Sequence, residues 1–259
     1  MNVDLRFDRG YLRRQVWPLI EVRWPGAAAT LARTAQHAAE AQALLERAAA
    51  ADVGRLRDGD ALSVPGLRAL APAERINVLR CWLAEAGVEP PSTARLSEAL
   101  RQILAAQADH SPSVAWGNHA LRRYRQRVYL TEARPPRLSG TRHWRAAPEE
   151  RVELGPPLGE LCWVAQSGGI DWQRLPERLV VRRRRGGETL KPAANAATRS
   201  VQHLCQSHGV LPWMREALPL VFAGDDLIAV ADLWLDARWC AAAGAAGFAV
   251  NWRRAPIIV

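Results

Sequence analysis

The chain has 259 residues, 49% of them hydrophobic, enough to bury the core of one large or two small domains. A net charge of +9 and a pI near 10.5 point to polyanions as partners, nucleic acid first. No run of about 18 apolar residues offers a membrane-spanning helix, and the polar start MNVDLRFDRG lacks the apolar core of a signal peptide.

The first half reads as helix. YLRRQVWPLIEVRW puts Leu12, Val16, Leu19 and Ile20 on one face, with a kink or break expected at Pro18. After Pro25-Gly26, the alanine-rich stretch AAATLARTAQHAAEAQALLERAAAADV predicts one long helix, since alanine is the best helix former. Its apolar stripe, Leu31, Ala35, Ala38, Leu45 and Ala49, is thin, which suits a connector or a helix lying along a partner. Three helices are expected over the next 45 residues. Pro72 marks a start, Ile76, Leu79 and Leu83 face inward, and Gly87 marks a stop. Ser92 caps a helix carrying Leu96, Leu100, Ile103 and Leu104. Gly117-Asn118 predicts a turn and Leu121 to Leu130 a short β-hairpin, whose Arg122, Arg123, Arg125 and Arg127 make a basic patch.

From Thr131 to Pro157, proline, charge and glycine predict an irregular linker with one strand. A strand then runs through RLVVRRRR into the glycine turn of GGE, and TRSVQHLCQSHGV predicts a short helix capped by Thr198 or Ser200 and stopped by Gly209. Two strands flank a turn at Gly224-Asp225, and GFAVNWRR is the last strand. The fold class is therefore α+β, with a helical N-terminal half followed by a small mixed α/β domain. The divisions expected are 1–60 as an N-terminal segment with the long connecting helix, 61–131 as a helical domain with a hairpin, 132–158 as linker and 159–259 as the C-terminal domain.

Several features invite chemistry. Arg182-Arg183-Arg184-Arg185 on a strand would alternate faces, so at most two share a surface. Arginine forks suit phosphate oxygens, and Gly186-Gly187 would let backbone approach RNA. A solvated, charged edge strand is the plainer alternative. Ser167-Gly168-Gly169-Ile170-Asp171 resembles the opening of a pyrophosphate-binding SGGxDS loop. Such a loop should open a helix, whereas Trp172 replaces the final serine and Pro176 would break the first turns. A glycine turn between two strands is expected instead. His203, Cys205 and His208 do not share one helical face and no fourth ligand is near, so no metal site is expected. Asp225-Asp226 sits where turns favour aspartate, and Trp213 reads as a core anchor. The four cysteines, Cys81, Cys162, Cys205 and Cys240, show no paired spacing and read as free thiols in a reducing cytosol. Lys191 is the only lysine, so the arginine excess also fits a GC-rich genome.

In order, Arg182, Arg184, Gly186, Gly187, Glu188, Pro212, Trp213, Arg215, Pro219, Leu220, Gly224 and Val230 resemble the C-terminal pattern of bacterial tRNA(Ile)-lysidine synthases. Asn2, Asp4, Phe7, Arg9, Leu12, Arg13 and Pro18 resemble the segment that ends that family's catalytic domain, with Gly10 in place of an asparagine. Residues from about Leu62 to Leu130 resemble its helical substrate-binding domain, so the resemblance covers almost the whole chain.

The resemblance implies an ATP-dependent, magnesium-using carbon–nitrogen ligase that adenylates the wobble cytidine of tRNA(Ile) and lets lysine attack it. It implies tRNA(Ile) as partner and a homodimer as an arrangement; a separate catalytic chain is the other partner considered, and the cytoplasmic location rests on the free thiols. The family's SGGxDS loop lies in an N-terminal domain expected to be missing here, through truncation or a misassigned start. The chain is then expected to bind tRNA without catalysing, with no cofactor of its own. A standalone RNA-binding module or a gene remnant is the alternative. The implied tRNA contacts are Arg182, Arg184, Gly186, Gly187, Lys191, Arg199 and Arg215, with Arg122, Arg123 and Arg125 as additional ones. Arg9 and Arg13 are the expected remnant of an active-site border. Where the family commonly has two lysines in the helix, this chain has Val201-Gln202-His203, which removes two cations that could meet phosphate.

Overall fold

A computed structural model describes residues 7–107 and 111–256. The resemblance at Asn2 and Asp4 lies outside the described residues. The chain forms two compact units, Met1–Gln107 with Gln126–Leu130, and Ala108–Arg125 with Thr131–Val259.

The first unit opens with α1 (Asp8–Tyr11), a π-helical turn (Leu12–Val16) and α2 (Trp17–Arg23). The break expected at Pro18 is a change of helical register: Pro18 falls in the first turn of α2, directly after the π-helical turn, where the hydrogen-bonding pattern changes. Helix α3 (Ala27–Leu56) is continuous over 30 residues. Of its expected stripe only Ala49 is buried, joined by Val53 and Leu56 in the last turns, while Leu31 and Leu45 are exposed.

Strands β1 (Arg57–Asp58) and β2 (Ala61–Ser63) pair antiparallel, and α4 (Val64–Ala69), α5 (Pro72–Glu85) and α6 (Thr93–Ala105) follow. Their starts and stops obey local chemistry. Ser63 and Ser92 accept from the amides of Gly66 and Arg95, Pro72 opens α5, and Gly87 takes φ 69° after it. Leu62, Leu67, Leu79, Leu83, Leu96 and Ile103 form a core with no exposure, with Ile76 only half-buried.

Strands β3 (Ser113–Trp116) and β4 (His119–Tyr124) form a hairpin in the second unit around Gly117-Asn118. Arg125, with φ 54°, makes the next turn, and β5 (Arg127–Glu132) pairs with β2.

Two strands, β6 (Thr141–Arg145) and β7 (Arg151–Glu153), occupy the segment expected to be a linker with one. Short stretches such as TRHWR and RVE are hidden among charges, and pairing with other strands stabilises them. β6 pairs with β9 (Arg178–Arg182), and β7 with β8 (Glu160–Ile170). β10 (Thr189–Leu190) and β11 (Arg199–Ser200) form a small ribbon leading into α7 (Val201–Ser207), which Ser200 caps. The hairpin β12 (Leu220–Ala223) and β13 (Asp226–Val230), then β14 (Trp234–Leu235), complete a five-stranded antiparallel sheet of order β14-β13-β12-β9-β6. A three-stranded sheet, β15-β8-β7, uses the last strand, β15 (Phe248–Arg253). Trp144 of β6 stacks on Trp163 of β8 at 4.3 Å between ring centroids and 13° between planes, joining the five-stranded and three-stranded sheets.

Candidate nucleic-acid interface

The arginine run does not continue the strand. β9 ends at Arg182, so alternation stops there and the next residues are arranged by a loop. Arg182 donates from Nη1 to Glu188 Oε1 at 2.8 Å, and its guanidinium lies 4.0 Å from the Phe222 ring centroid. The two partners are 18% and 7% exposed, so Arg182 is committed inside the fold. The Glu188 carboxylate also accepts from the amides of Arg185, at 2.6 Å, and Gly186, at 2.9 Å. Burial pushes the Glu188 carboxyl up, but the Arg182 bond and these amides outweigh it and hold it below its ordinary value.

Between these anchors the loop opens. Gly186 and Gly187 take φ 102° and 84°, and nothing lies within 4 Å of where their Cβ atoms would be. Only glycine adopts such angles without strain, and the open space leaves their backbone approachable. Arg183 is drawn to Glu216 at 3.4 Å, and Arg137 shares that carboxylate at 3.1 Å. No carboxylate pairs with Arg184 or Arg185 among the described residues. Arg185 is exposed and Arg184 half-buried, and Arg185 joins Arg184 although strand alternation left it out of the expected set.

Arg184 and Arg215 both act on the Cys205 thiol. Burial raises that thiol above its ordinary value, and the two cations partly oppose it. Arg215 follows the turn Pro212–Met214 and donates to the Val210 carbonyl at 3.2 Å. Arg199 is exposed on β11 opposite Leu190. Half-buried Lys191 donates its amide to Asp236 Oδ2 at 3.1 Å.

The β4 arginines belong to the same unit but differ in availability. Arg122 donates to Thr131 Oγ1 and the Ala133 carbonyl, both at 3.0 Å, and lies 5.7 Å from the Trp213 ring. Arg123 is 1% exposed and donates to the Arg125 carbonyl at 2.9 Å. Burial of its side chain removes it from the surface a ligand could touch. Arg125 is exposed and reaches the Gln206 carbonyl at the end of α7 at 2.9 Å, where a cation suits the helix dipole. Trp213, half-buried, meets Tyr124 edge to face at 6.4 Å. Arg9 and Arg13 are exposed on the first unit's opening helices.

Ser167 to Ile170 is strand, not the expected turn, although Gly168 has φ 69°. Part of its polar backbone is already used. Gly168 donates to the Ala245 carbonyl, Asp171 to that of Trp239, and the Gly169 carbonyl accepts from Ala241, each at 2.8 Å. Asp171 caps only a three-residue 3-10 helix, Trp172–Arg174. These residues do not fit the phosphates of ATP, because the Gly168 and Asp171 amides that would help cradle them are already bonded within the fold. His208 packs on Trp234 at 5.0 Å, and no three metal-ligating side chains gather among the described residues.

Residues 62–129 match the family described as TilS substrate binding domain, and residues 179–252 the family described as TilS substrate C-terminal domain. The tRNA(Ile)-lysidine synthase of Alkalilimnicola ehrlichii is 36% identical over 247 residues, covering 94% of this chain and 55% of that protein. Those of Coxiella burnetii and Nitrosomonas europaea are each 33% identical, covering 88% and 99% of this chain but 51% and 56% of their own lengths. The chain thus spans about half the length of the curated relatives it matches.

Proposed function

Because the chain belongs to the tRNA(Ile)-lysidine synthase family, we propose that it is the tRNA-gripping portion of an enzyme that joins lysine to the wobble cytidine of tRNA(Ile). The observation that carries this reading is the loop 183–187. It presents Arg184 and Arg185, without carboxylate partners among the described residues, beside an open Gly-Gly backbone. Such cations suit phosphate oxygens and release counterions on binding. Arg199 and Arg215 extend the same basic character.

ATP and magnesium are assigned to the part of the whole protein that this chain does not supply, since the one phosphate-loop-like stretch has its Gly168 and Asp171 amides engaged. No reaction step is given to the residues described. Arg9 and Arg13 are kept as the border toward that part. Its source is a separate catalytic chain or the rest of a longer polypeptide, with a homodimer as a further arrangement. The setting is the cytoplasm, in keeping with a tRNA substrate, and no described helix is long and apolar enough to cross a membrane.

Filter binding of a tRNA(Ile) transcript across a salt series tests the grip. The expected result is saturable binding whose logarithm falls linearly with that of salt. Salt-independent or absent binding overturns it. ATP–pyrophosphate exchange with this chain and tRNA is expected to be absent, and tRNA-dependent exchange would refute the non-catalytic assignment.

A further inference from the structure

We infer that Glu188 is a positioning residue for tRNA binding: its carboxylate, tied to Arg182 and the Arg185 and Gly186 amides, aims the neighbouring arginines at the phosphate backbone. The inference rests on the tRNA-binding reading above and adds a residue of the opposite charge to it.

An acidic group beside a phosphate-binding loop is at first sight a hindrance, because it repels the ligand. The geometry assigns it another part. Its two oxygens take three donors, Arg182 Nη1, Arg185 N and Gly186 N, at 2.8, 2.6 and 2.9 Å. The side chain is only 7% exposed, so a polyanion arriving from solvent meets the loop and not the carboxylate. Two of the donors are backbone amides on either side of the Arg185 side chain, which fixes the backbone that bears it. The third ties the loop back to the last residue of β9, itself paired with Leu220 and Thr141. The loop between Arg182 and Glu188 is thereby closed at both ends, while Gly186 and Gly187 hold left-handed angles that a free loop of glycines would leave constantly. Fixing the loop before binding removes part of the ordering cost that a flexible arginine loop would meet on the RNA.

Field and positioning predict opposite signs. If only charge matters, removing Glu188 strengthens binding to tRNA. If Glu188 positions the loop, removal weakens it although the chain becomes more basic. The experiment uses the whole 259-residue chain and an unmodified tRNA(Ile) transcript, with affinity measured over a salt series for Glu188→Ala, Glu188→Gln, the pair Arg184→Ala/Arg185→Ala, and Glu188→Gln added to that pair.

Glu188→Ala is expected to bind roughly tenfold more weakly, with a salt slope lower by about one for each phosphate that an arginine no longer reaches. Glu188→Gln, which keeps the length and an acceptor oxygen for the amides, should recover part of that affinity. On the Arg184→Ala/Arg185→Ala background Glu188→Gln should change nothing further, since nothing is left to aim. Melting curves confine the comparison to folded variants, and the glutamine variant serves where the alanine variant does not fold. Equal or tighter binding by both Glu188 variants, with weakened binding by the arginine pair, overturns the positioning role and leaves the tRNA reading intact. Unchanged binding by the arginine pair overturns both.

Discussion

Gly169 and Gly247 lie back to back where β8 passes the start of β15. A Cβ on Gly169 would stand 2.6 Å from the Phe248 carbonyl oxygen, and one on Gly247 would stand 2.6 Å from the Gly169 carbonyl oxygen. The obstacle is backbone in both directions, so no side chain can move aside. Gly169→Ala and Gly247→Ala should each destabilise the chain by about 2–3 kcal/mol, as overpacking does, measured as a lowered urea midpoint. A midpoint unchanged in either variant would show that the strands separate easily there.

Arg182 and Arg184 differ by two positions and should behave as different kinds of residue. Arg182→Ala leaves the nearly buried Glu188 without its cation, so a loss of about 3 kcal/mol is expected. Arg184→Ala and Arg185→Ala touch no such pair, and about 0.5 kcal/mol or less is expected for each, together with weaker tRNA binding. Denaturation and binding measured on the same preparations separate the two outcomes. Equal destabilisation by Arg182→Ala and Arg184→Ala would contradict the assigned pairing.

Acid should find the Asp236 and Glu188 carboxylates. For Asp236, burial acts upward, and the Arg238 guanidinium, the Arg238 amide and the Lys191 amide together hold it below its ordinary value, as their counterparts do for Glu188. A carboxyl depressed on folding contributes stability that is complete above its unfolded value of about 4 and is lost as pH falls through the lower folded value. Stability should therefore decline from about pH 4 downward. Glu188→Gln should flatten that decline, and an unchanged pH profile of its melting temperature would remove Glu188 from the account.

Asp236 itself is fully buried and accepts from the Lys191 amide at 3.1 Å, the Arg238 amide at 2.9 Å, and Arg238 Nε and Nη2 at 2.9 and 2.8 Å. Asp236→Ala orphans two amides at once and should cost about 3 kcal/mol. Arg238→Ala should cost less, because the amides keep their acceptor and the Arg238 side chain is half exposed. The reverse order in chemical denaturation would contradict this assignment.

Arg123 supplies a control within the basic β4 strand. Arg123→Ala should lower the melting temperature by removing buried packing and the bond to the Arg125 carbonyl. At a temperature where the variant is folded, its tRNA affinity and salt slope should match the parent. A reduced slope would show that the guanidinium reaches phosphate after all.

Much of the local structure is legible in the residues, because its causes are local. The alanine run makes α3, Ser92 and Ser200 cap their helices, Gly87 ends α5, and Gly224-Asp225 turns the β12–β13 hairpin. The order of the motifs from Arg182 to Val230 also points to the family, since it depends only on which residues follow one another. The strands β6 and β7 were not legible as a pair. They are short and charged, and exist through partners 33 or more positions away for β6 and 7 or more for β7. The same holds for Ser167 to Ile170. Their letters suggest a loop, and β8 absorbs them because the distant Ala245 and Gly247 carbonyls take the amides of Gly168 and Gln166.

The sequence by itself determined the basic charge, the helical and strand periods, the caps and turns, and the motif order, all set by neighbours along the chain. Only the tertiary structure decided which arginine does what. Arg182, Arg183, Arg184 and Arg185 are four identical letters. The fold buries the first against Glu188 and Phe222, ties the second to Glu216, and leaves the last two without a carboxylate partner among the described residues. That division depends on where β9 stops and on which acids distant segments bring near, and electrostatics acts through distance and burial, not through sequence separation.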